Sequence, residues 1–285
     1  MSTASLSTHD FTADGVRLTY HRAGRGPVCV AHPGGPGLDW SYLRSAELEQ
    51  HYTVIYPEPV GTGRSGRPDD PAGYRLETYV RFLAALVEHL GEPKVFLLGH
   101  SYGGFVVQTY ALARPERVAG LILYSTSPYA GPEFWQAAAA GVGAYPQRHP
   151  GIAEAEAAPA AFRRAQAADD DESISREFAA ASPIYFADFW SRQAEFEPFR
   201  AGIRMYREPA VAPDPGVFDV RSRLGEIHAP TVVIVGAQDF IAGPAWGAPL
   251  GAGIPGAQTV TLEQAGHFAH VEQPADFARA VALIR

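Results

Sequence analysis

Cysteine is almost absent from this chain: its 285 residues include one, Cys29. A lone thiol cannot close an internal disulfide, and no Cys-rich metal spacing exists. Cys29 sits in the apolar run Pro27–His32, so it reads as a small buried core residue rather than a nucleophile. Clustered basic charge is missing too. With 23 basic against 31 acidic residues, the formal net charge is −8. That argues against a nucleic-acid surface, which would need grouped Lys and Arg. No apolar run approaches the ~20 residues of a membrane span. Met1–Asp10 is rich in Ser and Thr and lacks the basic start and long apolar core of a secretory leader. The expectation is therefore a cytoplasmic protein with no nucleic-acid or membrane partner.

What is present is a globular composition, 46% hydrophobic and 19% charged. The length suits one main domain with a sizeable insertion. Asp14-Gly15 is a hairpin turn signal, and Val16–Tyr20 alternates as a half-buried strand would. Val28–Ala31 is a short apolar strand running into the loop His32-Pro33-Gly34-Gly35-Pro36-Gly37, and Tyr52–Tyr56 is another strand. Leu76, Val80, Leu83, Val87 and Leu90 recur at helical spacing, with Gly91 as the stop. Strands are expected at Lys94–Gly99, Val118–Tyr124, Thr231–Val235 and Thr259–Leu262. Helices are expected at Tyr102–Arg114, around Trp246 and from Phe277 onward. This alternation implies an α/β fold, a mostly parallel sheet with helices on both faces.

Between Ser127 and His228 the strand signals vanish. The segment is rich in Ala and in aromatic residues, among them Phe134, Tyr185, Phe186 and Trp190. It reads as an inserted helical lid over residues 127–228, leaving 1–126 and 229–285 as the core.

Gly99-His100-Ser101-Tyr102-Gly103 has the form Gly-x-Ser-x-Gly. Such a pattern is weak alone, but here it lies between a strand and a helix, the setting of a nucleophile elbow. The turn is sharp, and the glycines let strand and helix approach. Ser101 would then stand at the carboxyl end of the sheet, where open α/β sheets bind ligands. A serine hydroxyl needs a base, and the base needs an acid to orient it. Asp239 follows the strand Thr231–Val235, and His267 follows Thr259–Leu262, both on the same sheet edge as Ser101. His270, three residues on, is the rival base, while His100 more plausibly packs within the elbow. Asp214 and Asp219 are rival acids, set aside because no strand presents them. An oxyanion hole needs two N–H groups. One is expected from Tyr102 and one from the loop Gly34-Gly35-Pro36-Gly37, where glycine lets the backbone reach a substrate.

With these residues in view, the chain resembles the α/β-hydrolase superfamily, and more narrowly the proline iminopeptidase family. The narrower resemblance rests on Gly34–Gly37, on Glu58-Pro59-Val60-Gly61-Thr62-Gly63-Arg64-Ser65-Gly66, on Gly99–Gly104 and on Gly266-His267-Phe268. It implies Ser101, Asp239 and His267 as a triad, Gly35 as an oxyanion donor beside Tyr102, and no metal or organic cofactor. The family binds a substrate's free amine through lid carboxylates. Glu195 and Glu197, beside Trp190, are the possible counterparts; Glu58 is another, and Gly34 would border the substrate. Pro33 stands where the family has a motif His, and Glu58-Pro59-Val60 replaces its Asp-x-Arg, so the departures border the site. The main expectation is acyl transfer on a small-molecule or short-peptide substrate by an aminopeptidase. An esterase, lactonase or thioesterase on a small apolar acyl group is the alternative, and a non-catalytic ligand-binding protein the remote one. Haloalkane dehalogenase and epoxide hydrolase chemistry would need Asp in place of Ser101.

Overall fold

A computed structural model describes residues 5–68, 74–207 and 216–284. Its strands are β1 (Ser7–Ala13), β2 (Val16–Gly24), β3 (Val28–His32), β4 (Thr53–Glu58), β5 (Val95–His100), β6 (Val118–Tyr124), β7 (Tyr129–Ala130), β8 (Phe218–Asp219), β9 (Thr231–Gly236) and β10 (Gln258–Leu262). The helices are α1 (Ala46–His51), α2 (Leu76–Leu90), α3 (Tyr102–Ala113), α4 (Pro132–Arg148), α5 (Ala153–Ala167), α6 (Asp171–Ala181), α7 (Gln193–Gly202), α8 (Pro244–Gly253), α9 (Ala269–Glu272) and α10 (Pro274–Val281).

Eight strands form one sheet in the order β1-β2-β4-β3-β5-β6-β9-β10. The β1–β2 and β2–β4 pairs are antiparallel, and all others are parallel. The hairpin turn falls on Asp14-Gly15, where φ is 51° and 77°. Positive φ at both turn residues matches the right-handed strand twist. In β3, β4, β5, β6 and β9 successive apolar residues serve opposite faces, because the side-chain period of a strand is two. Cys29, Val54, Leu98, Ile122 and Ile234 face one core cluster; Val30, Ile55, Leu97, Leu121 and Val233 face the other. Residues of α2, α3 and α8 cover the second face, and residues of α10 and of α4–α6 join the first. Cys29 is fully buried, and burial pushes its thiol up to about 12, as befits a core residue.

Details depart from the expected pattern. The buried stripe of α2 runs through Tyr79, Phe82, Leu83, Leu86 and Val87, with Leu76, Val80 and Leu90 only partly buried beside it. The helix is rotated because Tyr79 and Phe82 bury more surface than the aliphatic residues they displace. Its stop is as expected: Gly91 takes φ 71°. The last helix begins at Pro274 rather than near Phe277, proline being well suited to a first turn. The segment between β6 and β9 carries α4–α7 and also one two-residue strand pair, β7 with β8. Asp219 lies in β8, so a strand does present it. It is nonetheless an exposed residue paired with Arg221 at 2.6 Å. Asp214 lies outside the described residues.

Candidate active site

The residues around Ser101 are held by close backbone packing. A Cβ on Gly99 would meet Gly103 O at 2.5 Å, and one on Gly103 would meet Pro33 O at 2.5 Å. Only glycine at both positions lets β5 turn directly into α3 beneath the β3 loop. Ser101 is consequently held at φ 53°, ψ −121°, a conformation that costs a non-glycine residue about 1–3 kcal/mol. The surroundings enforce it: Ser101 N–H donates to Tyr124 O at 3.0 Å, and Ser101 O accepts from Gly104 N–H at 2.9 Å and Thr126 Oγ1 at 2.8 Å. Strain of this kind persists where surrounding structure over-determines it, often at active sites. Tyr102 opens α3, so its N–H has no partner inside the helix.

The glycine loop after β3 lies against the same point. A Cβ on Gly34 would sit 3.0 Å from Ser101 Cβ. Gly34 N–H is already committed, donating to Tyr42 Oη at 2.7 Å. Gly35 is exposed, with φ 117°.

Asp239 and His267 meet on the loops after β9 and β10. His267 Nδ1 is 2.7 Å from Asp239 Oδ2, and both residues are buried. Asp239 Oδ1 accepts from Ile241 N–H at 2.9 Å and Ala242 N–H at 3.1 Å. Burial pushes this carboxyl up, but the His267 charge and hydrogen bond and the two N–H groups outweigh it, holding it below the usual carboxylate range. The His267 ring lies 4.6 Å, centroid to centroid, from that of His100, the residue before Ser101. His270 takes no part in this pair. It is wedged between Tyr124 Oη at 2.9 Å and the Tyr42 carbonyl at 2.7 Å, and burial pushes it down to about 4.

Other residues matter here that no local sequence pattern signals. His267 N–H donates to Tyr185 O at 2.7 Å. Glu272 clamps the same junction, its two oxygens accepting Gly266 N–H and Ala187 N–H at 2.7 Å each. Burial raises the Glu272 carboxyl to about 7 despite those bonds. The Tyr185 ring lies 5.6 Å from that of His267 and 5.1 Å from Phe240.

The expected substrate-amine ligands are arranged otherwise. Glu195 pairs with Arg192 at 2.6 Å and Glu197 with Arg200 at 3.3 Å, both carboxylates about half exposed. Each is one helical turn from its arginine, and the arginines draw them to the surface. Glu58 is buried, but His21 Nε2 at 2.7 Å and the Arg64 N–H occupy its carboxylate. Trp190 donates its indole N–H to Tyr145 Oη at 2.8 Å and packs edge-on against Phe189. These four side chains are engaged within their own surroundings. Among the described residues, no His, Cys, Asp and Glu cluster could hold a metal, and no helix is long and apolar enough to cross a membrane.

Residues 27–274 match the family described as the alpha/beta hydrolase fold. The chain belongs to that family and is a hydrolase. It is 31% identical over 275 residues, 91% of its length and 86% of the relative's, to the 2-hydroxy-6-oxononadienedioate/2-hydroxy-6-oxononatrienedioate hydrolase of Cupriavidus pinatubonensis. It is 37% identical over 116 residues, 39% of each chain, to a proline iminopeptidase of Lactobacillus crispatus. The chain spans 39% to 41% of the length of several curated relatives, and 86% to 91% of others. A crystal structure of a hydrolase from Pseudomonas aeruginosa is similar with a TM-score of 0.70 at 28% identity, covering 97% of this chain and 96% of that one. The resemblance to iminopeptidases is thus partial, whereas that to the dienedioate hydrolase runs nearly end to end.

Proposed function

We propose that this hydrolase opens an ester or lactone of a small, largely apolar acyl substrate through an acyl-enzyme on Ser101. The observation that carries this is the buried 2.7 Å pairing of His267 with Asp239 beside the strained Ser101 elbow. Asp239 keeps the His267 proton on Nδ1, leaving Nε2 free to take the Ser101 proton as Oγ attacks the carbonyl. Tyr102 N–H and Gly35 N–H hold the developing oxyanion. His267 then protonates the leaving oxygen, and afterwards activates the water that releases the acid. Helices α4–α7 act as a cap, with Tyr185 against His267 as its apolar wall.

The ester or lactone reading is better supported than the aminopeptidase one. Glu195, Glu197 and Glu58 are all paired, so none is presented as a free counter-charge for a substrate ammonium. A second reading, hydrolysis of a 2-hydroxy-6-oxo-dienoate, is favoured by the full-length relative named for such a substrate.

The test compares p-nitrophenyl butyrate, a prolyl arylamide and a 2-hydroxy-6-oxo-dienoate on wild type and Ser101→Ala. Ester turnover that vanishes in Ser101→Ala, with negligible arylamide turnover, is the expected result. Arylamide turnover above that of the ester would restore the aminopeptidase. Preferred turnover of the dienoate would establish the second reading, and undiminished activity in Ser101→Ala would remove Ser101 as nucleophile.

A further inference from the structure

Three loops of the site are tied together beneath it by a buried hydrogen-bond chain. Gly34 N–H donates to Tyr42 Oη at 2.7 Å. Tyr42 Oη lies 2.6 Å from His100 Nδ1, and His100 Nε2 lies 3.0 Å from the His267 carbonyl oxygen. The ends of the chain determine its middle. An amide N–H can only donate, so the Tyr42 oxygen accepts from Gly34 and directs its own proton at His100 Nδ1. A carbonyl can only accept, so His100 Nε2 carries the ring proton. Each proton therefore has one place, and His100 is the neutral Nε2–H tautomer. His100 is fully buried, and its own burial, with His267 and His270 nearby, holds it well below the ordinary histidine range.

A second limb joins the same two loops. His270 Nε2 meets the Tyr42 carbonyl at 2.7 Å, so this ring too carries its proton on Nε2. Tyr124 Oη then lies 2.9 Å from the bare His270 Nδ1 and 3.1 Å from the His267 carbonyl, two acceptors of which its single proton can serve one. Both limbs start on Tyr42 and lead toward the His267 carbonyl, but only the His100 limb has a proton for every contact.

We propose that Tyr42 and His100 are positioning residues that set the Gly34-Gly35 loop against the His267 loop across Ser101. They touch no reacting atom. Their effect is to hold the Gly35 N–H and the His267 ring in one frame, so that both meet the same tetrahedral intermediate. Interactions of this kind count in the transition state and little in substrate binding. The inference rests on the reading that Ser101, His267 and Gly35 carry the reaction.

Tyr42→Phe removes one oxygen and keeps the ring. The expected result is a kcat for p-nitrophenyl butyrate lower by about tenfold or more, with KM within about twofold of wild type. His100→Leu should behave alike. His100→Asn, whose amide oxygen falls near the Nδ1 position and can accept from Tyr42, should recover part of the loss. A merely structural role would lower the melting temperature and leave kcat per folded molecule unchanged. Imidazole ¹⁵N NMR of wild type reads the chain without any variant: His100 should be protonated on Nε2 and bare on Nδ1 across the stable pH range. A proton on Nδ1, or a folded Tyr42→Phe with wild-type kcat, overturns the proposal. If Ser101→Ala is inactive while Tyr42→Phe is unimpaired, this inference alone fails; if Ser101→Ala is active, the parent reading fails.

Discussion

Asp239 commits both carboxylate oxygens: Oδ2 lies 2.7 Å from His267 Nδ1, while Oδ1 accepts two backbone N–H groups of its own loop. The second oxygen makes the loop a rigid support for the first. In Asp239→Asn the amide oxygen can keep the Ile241 and Ala242 bonds, which leaves the NH₂ group facing His267. The ring would then move its proton to Nε2 and could no longer accept one from Ser101. We expect kcat to fall by about 10⁴, as tautomer reversal does in other Ser-His-Asp enzymes, with folding kept. Ester kinetics and a thermal melt check this, and activity within tenfold of wild type would refute it.

Glu272 gives the junction of cap and His267 loop a pH dependence. Its folded carboxyl is raised to about 7 from an ordinary 4.5, first by burial and then by the charge of Asp239, against the Ala187 and Gly266 N–H bonds and the Arg192 charge. The folded state therefore binds this proton more tightly than the unfolded chain. Its stabilising contribution is complete below pH ~4.5 and is lost as pH rises through ~7. The full difference is on the order of 3 kcal/mol. Glu272→Gln removes the titration, and its NH₂ must face one of the two N–H donors, at a cost of about 1–3 kcal/mol. Denaturant unfolding at pH 5 and pH 8 should show the advantage of wild type over the variant shrinking at the higher pH. A constant or growing advantage would contradict the assignment.

How much of this was legible in the chain depends on the range of the interaction. The strands β3, β5, β6 and β9 could be read because a run of apolar residues between turn signals needs no distant partner to be recognised. The elbow could be read because Gly99 and Gly103 act within five residues of each other. Asp239 and His267 were nameable because strand ends fix which loops meet. By contrast, Tyr42 meets His100 across 58 residues, and Tyr124 meets His270 across 146. No local pattern encodes those meetings. The pairing of the lid glutamates was not legible for a different reason. Composition places Glu195 and Glu197 on a helix with aromatic neighbours, but which way they point was decided by Arg192 and Arg200 one turn away. The pair β7–β8 was too short to show any period.

Gly103→Ala sets two rules against each other. Gly103 lies in α3, and alanine is the better helix former by about 1 kcal/mol. Its Cβ, however, would press on the His32 and Pro33 carbonyl oxygens, backbone atoms that cannot turn aside. Overpacking of this sort costs about 1–3 kcal/mol or more, so packing should win. We expect a less stable protein whose ester kcat also falls, because relief of the clash must displace the turn that carries Ser101. A variant more stable than wild type by chemical denaturation would show that β3 and α3 are less tightly apposed than the structure has them.

The double variant Glu195→Gln, Glu197→Gln separates the aminopeptidase reading from the ester reading without touching the Ser101 elbow. Both carboxylates are about half exposed and paired within one helical turn, and such pairs add little to stability. The melting temperature and the kcat/KM for p-nitrophenyl butyrate should therefore stay near wild-type values. The prolyl arylamide supplies the contrast, since its free ammonium is the group a lid carboxylate would bind. If wild type hydrolyses it at all, the rate should be no lower in the double variant. A tenfold loss confined to the arylamide would mean that the cap moves Glu195 or Glu197 inward when substrate binds. The ion pairs with Arg192 and Arg200 would then be a resting arrangement rather than the working one.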